Sequence, residues 1–262
     1  MTLAAAVLAA PRNQPAPPAV ADTAKTLVVA GDRTVRLVSL GGSNTDRLLR
    51  RVEAFIGAAV EAVQAFWGAQ WTRDITVVAT GSEQQFVAAA GGGTASQWAD
   101  IAAVTVADHV DPDHRLAVGQ RIVFAPGAAA MSDEALRIVL CHELFHYATR
   151  ADTALDAPRW LTEGAADFVA RPPTSVVGAA ALATTLPSDA DLDVPGPQRS
   201  LAYDKAWWFT RFVADAYGTA TLRRLYVAAC GAGHADAVAA MRAVLRGDSA
   251  DVLSRWQRWL TG

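Results

Sequence analysis

Two stretches decide how this chain is read: Val139-Leu140-Cys141-His142-Glu143-Leu144-Phe145-His146, and Trp160-Leu161-Thr162-Glu163-Gly164-Ala165-Ala166-Asp167, in which Glu163 stands 17 residues beyond His146. Beyond Ser132 the turn signals thin out, and the first stretch falls in a helix predicted over 132–150. On a helix, histidines four apart share one face, one turn above the other, so a single cation can reach both. Imidazole nitrogen bonds zinc at about 2.0–2.1 Å, and a rigid helix holds two such nitrogens convergent at little entropic cost. Glu143 follows the first histidine directly. Its carboxylate is placed beside a metal without coordinating it, where it can take a proton from water. With five His and six Glu in 262 residues, chance supplies about 0.002 such His-Glu-x-x-His patterns. The plain alternative is a pair of core histidines satisfied by hydrogen bonds.

A catalytic zinc needs a third protein ligand and an open position. Asp152 lies six residues after His146, the place of the last metzincin ligand, but the glycine that turns the chain in that pattern is Thr149 here. Glu163 is the stronger candidate. Its segment opens with Pro158, favourable in a first turn, and is predicted as a helix over 158–170. Glu163 and Asp167 are four apart, so one face offers a carboxylate for the metal and another for the ring N–H of a liganding histidine. Two solvent-facing acids on an ordinary helix are the alternative.

Further helices are expected at about 202–217, 219–230, 234–246 and 249–261, after a Pro-, Gly- and Asp-rich loop at 172–200. The other direction is different. Thr26–Ala30 and Thr34–Val38 flank Gly31-Asp32 as a hairpin, and a helix runs from Asn44 or Thr45 to Trp67 with Arg47, Arg50 and Arg51 on its solvated side. Asp74–Thr80, Ile101–Val106 and Arg121–Phe124 are expected strands, with a short helix near Glu83–Ala90. The result is an α+β chain: residues 26–262 form one domain, an α/β half at 26–131 and a helical half at 132–262, with the histidine helix at the seam.

Residues 1–25 read as a leader. Its apolar start is too short to span a bilayer, and Ala19-Val20-Ala21 offers a cleavage site, although the positive start of a secretory signal is missing. Secretion or a cell-envelope location is the expectation, with a cytoplasmic protein bearing a disordered tail as the alternative. Charged residues make up 19% and hydrophobic residues 52%, which excludes a disordered chain. A net charge of −3 gives no reason to expect nucleic acid as partner. Cys141 and Cys230 do not predict a disulfide. Trp207 and Trp208 read as core, or as the lining of a groove. His109, His114 and His234 lack a ligand-like pattern and receive no role.

The pattern His142-Glu143-x-x-His146, then Trp160-Leu161-Thr162-Glu163-Gly164 and Asp167, resembles the gluzincin group of zinc metallopeptidases, in particular their compact peptidase MA-like domains. The likeness covers roughly residues 120–230. It implies a zincin-like fold, a zinc ion on His142, His146 and Glu163, Glu143 as general base, Asp167 behind a ligand, and a peptide or protein substrate. It further implies Tyr203, on a helix resembling the one that follows the metal site in that group, as the donor to the developing oxyanion. In zincin folds the strand before the metal helix borders the cleft, so Ile122, Val123 and Phe124 are expected at a sheet edge that accepts an extended peptide, a plain interior strand being the alternative. A zincin-shaped module of the envelope that binds zinc or a partner without cutting is the rival function, and an amide of a cell-wall peptide the rival substrate.

Overall fold

The protein is described by a computed structural model covering residues 8–9, 23–29, 33–94, 98, 101–172, 174, 183–194 and 196–261. The site at 19–21 and the turn at 31–32 lie outside the described residues. The chain is mixed α and β, with one small mixed sheet and then a succession of helices. It divides into two compact units, Met1–Ala151 and Asp152–Gly262. The boundary falls after the histidine helix, not at its start near 132, because that helix packs on elements of the first unit.

The first unit contains β1 (Leu8–Ala9), β2 (Thr23–Val29), β3 (Arg33–Ser39), α1 (Ser43–Trp67), β4 (Asp74–Ala79), α2 (Glu83–Ala89), β5 (Ala103–Ala107), β6 (His109–Asp111), β7 (Leu116–Val118), β8 (Arg121–Phe124) and α3 (Asp133–Thr149). The sheet order is β1-β5-β8-β4-β3-β2. β3, β4 and β8 run parallel, β5 is antiparallel to β8, and β2 closes one side antiparallel to β3. β2 begins before Thr26 because its pairing with β3 continues through Thr23 and Ser39. β6 and β7 form a separate hairpin.

One sheet face carries Val38, Val78, Val104, Val106 and Val123 in a cluster with Phe86 of α2 and Trp98. By the alternation of a pleated strand, the opposite face takes Leu37, Val77, Ile122, Phe124 and Thr105, against which α1 and α3 pack. Phe145 of α3 meets Phe66 and Trp67 of α1 with ring centroids 5.7 and 6.3 Å apart. Arg51 is not simply solvated: its guanidinium donates to Asp133 at 2.8 Å and to the Met131 carbonyl at 2.7 Å, tying α1 to the start of α3.

The expected position of Ile122, Val123 and Phe124 is corrected. β8 is paired on both sides, to β4 and to β5, so its backbone donors and acceptors are spent within the sheet. All three residues are fully buried, and no peptide can add there.

The second unit is helical: α4 (Arg159–Ala170), α5 (Asp189–Asp193), α6 (Pro197–Tyr217), α7 (Thr219–Cys230), α8 (Ala237–Leu245) and α9 (Ser249–Thr261). α4 lies against α6, and Gly164 allows the approach, since a Cβ there would stand 2.7 Å from the Ala206 carbonyl oxygen. Thr210 secures the contact by donating to the Gly164 carbonyl at 2.8 Å. The aromatic core runs from Trp160 through Phe209 to Trp256, with centroids 5.5 and 5.4 Å apart. Trp207 and Trp208 are buried within this unit and serve packing. Among the described residues, no helix is long and apolar enough to cross a membrane.

Candidate metal centre

The histidine helix starts on a local cap. Ser132 accepts from the Ala135 N–H at 3.2 Å, and Asp133 and Glu134 favour the positive end of the helix dipole. Every residue from Val139 to Thr149 is buried, the pattern of a helix surrounded by core. Two imidazoles and a carboxylate on such a helix need a reason. His142 and His146 bring their Nε2 atoms to 3.1 Å, with ring centroids 4.8 Å apart. That separation is a hydrogen-bond distance between the two rings, and it also lies close to the about 3.3 Å that two nitrogens take on one tetrahedral metal ion. Glu143, also buried, is held from the sheet: the Thr105 hydroxyl lies 2.8 Å from its Oε2.

α4 brings the acids. Pro158 precedes the helix and offers no side-chain cap, so the free N–H groups are met by Asp189, which accepts from Arg159 N at 3.1 Å and Trp160 N at 2.8 Å. Glu163 is 4% exposed and Asp167 fully buried, which removes the reading of two solvent-facing acids. Asp167 pairs with Arg171 at 2.7 Å, one turn further on. Arg171 in turn donates to Asp204 at 2.8 Å and lies over the Trp207 ring. Tyr203 of α6 is buried, and its phenol pKa is pushed far up, first by burial and then by the negative charge of Glu163. It therefore stays protonated, as a hydrogen-bond donor must.

A buried His/His/Glu group could hold a metal ion: His142, His146 and Glu163 each offer one ligand atom, and these atoms lie within 4.8 Å of one another. Two imidazoles with one carboxylate form a donor set that suits zinc. Asp152 is not part of the group. Cys141, next to His142, is a buried thiol outside any disulfide, its pKa pushed up to about 12 by desolvation, and Cys230 is likewise buried and outside any disulfide. His109 and His114 are exposed on the β6–β7 hairpin, where His114 pairs with Asp111. His234 pairs with Asp156.

Three residues around these groups escaped the sequence reading. Arg171 had a signal, the i, i+4 spacing from Asp167. Thr105 and Asp189 had none, because each meets its partner across about 30 residues or more of chain. No protein-family model matches this sequence, and no curated protein is detectably similar to it.

Proposed function

We propose that this chain is a zinc-dependent peptidase of the gluzincin kind, with a zincin-like fold. The observation that carries the reading is the buried group of His142, His146 and Glu163, their ligand atoms within 4.8 Å of one another, with Glu143 next in sequence to the first histidine. A zinc ion held by these three residues would acidify a water molecule and polarise the scissile carbonyl.

The chain's own residues perform the rest. Glu143 accepts the proton of the attacking water on its carboxylate and delivers it to the leaving amine, so the base of the first step is the acid of the second. Tyr203 keeps its phenolic proton and donates it as a hydrogen bond to the oxygen on which negative charge builds. Asp167, anchored by Arg171 and one turn after Glu163, would be the carboxylate that orients a ligand imidazole.

Metal content and cleavage are measured together. Purified wild type is expected to carry one zinc per chain and to cut an unstructured protein such as labelled casein. Glu163→Ala should lose the metal, with affinity falling more than about 100-fold, beyond the range typical for partners behind a ligand. Glu143→Gln should keep zinc and lose turnover by about 100- to 10,000-fold. Stoichiometric zinc with no cleavage of casein, a peptide library or wall peptides would instead support the non-catalytic module.

A further inference from the structure

Strand β5 turns Ala103, Thr105 and Ala107 toward α3, and Val104 and Val106 toward the α2 side. The two alanines let the helix lie close to the strand. Between them an apolar residue would fill the space without cost, yet the position holds a fully buried hydroxyl. Its Oγ1 lies 2.8 Å from Glu143 Oε2 and 2.8 Å from the Glu143 backbone oxygen. Both acceptors belong to one residue, the residue that follows the first histidine. A hydroxyl has a single hydrogen to donate, so these two oxygens share it.

A bond to the backbone alone would secure the helix. The second contact does something more, because it fixes the end of a side chain with three rotatable bonds. We infer that Thr105 is the positioning residue for Glu143: its hydroxyl anchors Oε2 against the sheet and so aims the carboxylate. This rests on the hydrolytic reading of Glu143 and adds to it the strand residue that aims the carboxylate. Glutamate left to rotate on a helix would sample several rotamers, of which few face the reacting atoms, and small misplacements of a catalytic group cost large factors in rate.

Two substitutions separate aim from scaffold. Thr105→Val keeps the β-branched shape and removes the hydroxyl; Thr105→Ser keeps the hydroxyl. With zinc-loaded protein and a quenched fluorescent peptide taken from a casein cleavage site, Thr105→Val should lower kcat by about 10- to 100-fold and leave KM and zinc content within about two-fold. Thr105→Ser should recover most of the lost rate. Thr105→Val turning over at the wild-type rate overturns the inference while the hydrolytic reading stands. A zinc-loaded wild type that cleaves nothing overturns the hydrolytic reading, and this inference with it.

A second measurement needs no turnover. In urea unfolding, Thr105→Val should lower the midpoint more in the wild-type background than in Glu143→Ala, where the hydroxyl retains only the backbone acceptor. Equal shifts in the two backgrounds mean no coupling and overturn the inference. Should Thr105→Val fail to fold, Thr105→Ala carries the same pair of comparisons.

Discussion

Helix α3 and helix α4 each present buried polar groups, yet they are supported in opposite ways. α3 takes its cap and its dipole match from nearby sequence, Ser132, Asp133 and Glu134, and its two histidines meet one turn apart, while Arg51 and Thr105 reach it from α1 and β5. α4 has one strong local tie, the Asp167–Arg171 pair, and takes the rest from farther along the chain. Its cap comes from Asp189, its packing from a glycine pressed against α6, and its buried acid is answered by a cation that α6 holds in place. A helix supported from nearby is buffered against change elsewhere, whereas one assembled from distant partners is weakened when one of them is removed.

The sharpest way to break this contrast is Arg171→Met. It leaves Asp167 buried without its cation, and removing one partner of a buried ion pair costs about 3 kcal/mol or more. The matching substitution on α3, Arg137→Met, touches an exposed arginine stacked on Phe55 at 4.2 Å and should cost under about 1 kcal/mol. Urea unfolding of both variants reads the difference. Equal costs would mean that the Asp167 pair does not hold α4, and the contrast would rest on the cap alone.

The caps provide a smaller and more direct comparison. Asp189→Ala removes a charged acceptor of two helix N–H groups and should cost about 1–2 kcal/mol, while Ser132→Ala removes one neutral bond and should cost about 1 kcal/mol. If Ser132→Ala proved the more damaging, the distant cap would be incidental. Thermal unfolding distinguishes the two as a difference of a few degrees in Tm.

The same contrast explains what could be read from sequence. The helix at 133–149, its metal-spaced histidines, the helix at 159–170 and the mixed class were legible because each depends on spacings within a few turns. The place of Arg121–Phe124 was not, since it is set by Val77↔Ile122 and Thr105↔Ile122, pairings that a β-rich run does not announce. The β6–β7 hairpin was missed because strands of three residues carry too little alternation to show a period. At the candidate site, His142, Glu143, His146 and Glu163 stood out as a pattern. Thr105 did not: a threonine in a valine-rich strand looks like ordinary strand composition until its partner, 38 residues later, is in view.

The loop leading into α4 gives the smallest test. Thr153 shares a hydrogen bond with the Tyr226 hydroxyl at 2.9 Å, the Ala154 N–H donates to the Cys230 carbonyl at 2.7 Å, and Asp156 meets His234 at 3.2 Å. All three ties end on α7 or just beyond it, and only the third titrates near neutrality. The His234 pKa is raised above its ordinary 6.5, first by its bond to the Ala235 carbonyl and then by Asp156, whose own carboxyl is lowered by the histidine. A raised histidine contributes stability that is whole below 6.5 and is lost as pH climbs through the folded value; the lowered carboxyl contributes above about 3.9 and fades in stronger acid. Tm should therefore fall slightly from pH 6 to pH 8, by little because Asp156 is exposed, and His234→Gln should flatten that decline. An unchanged slope in the variant would leave Thr153 and Ala154 as the working ties, so that this approach to α4 would rely on neutral hydrogen bonds, as the start of α3 does at Ser132.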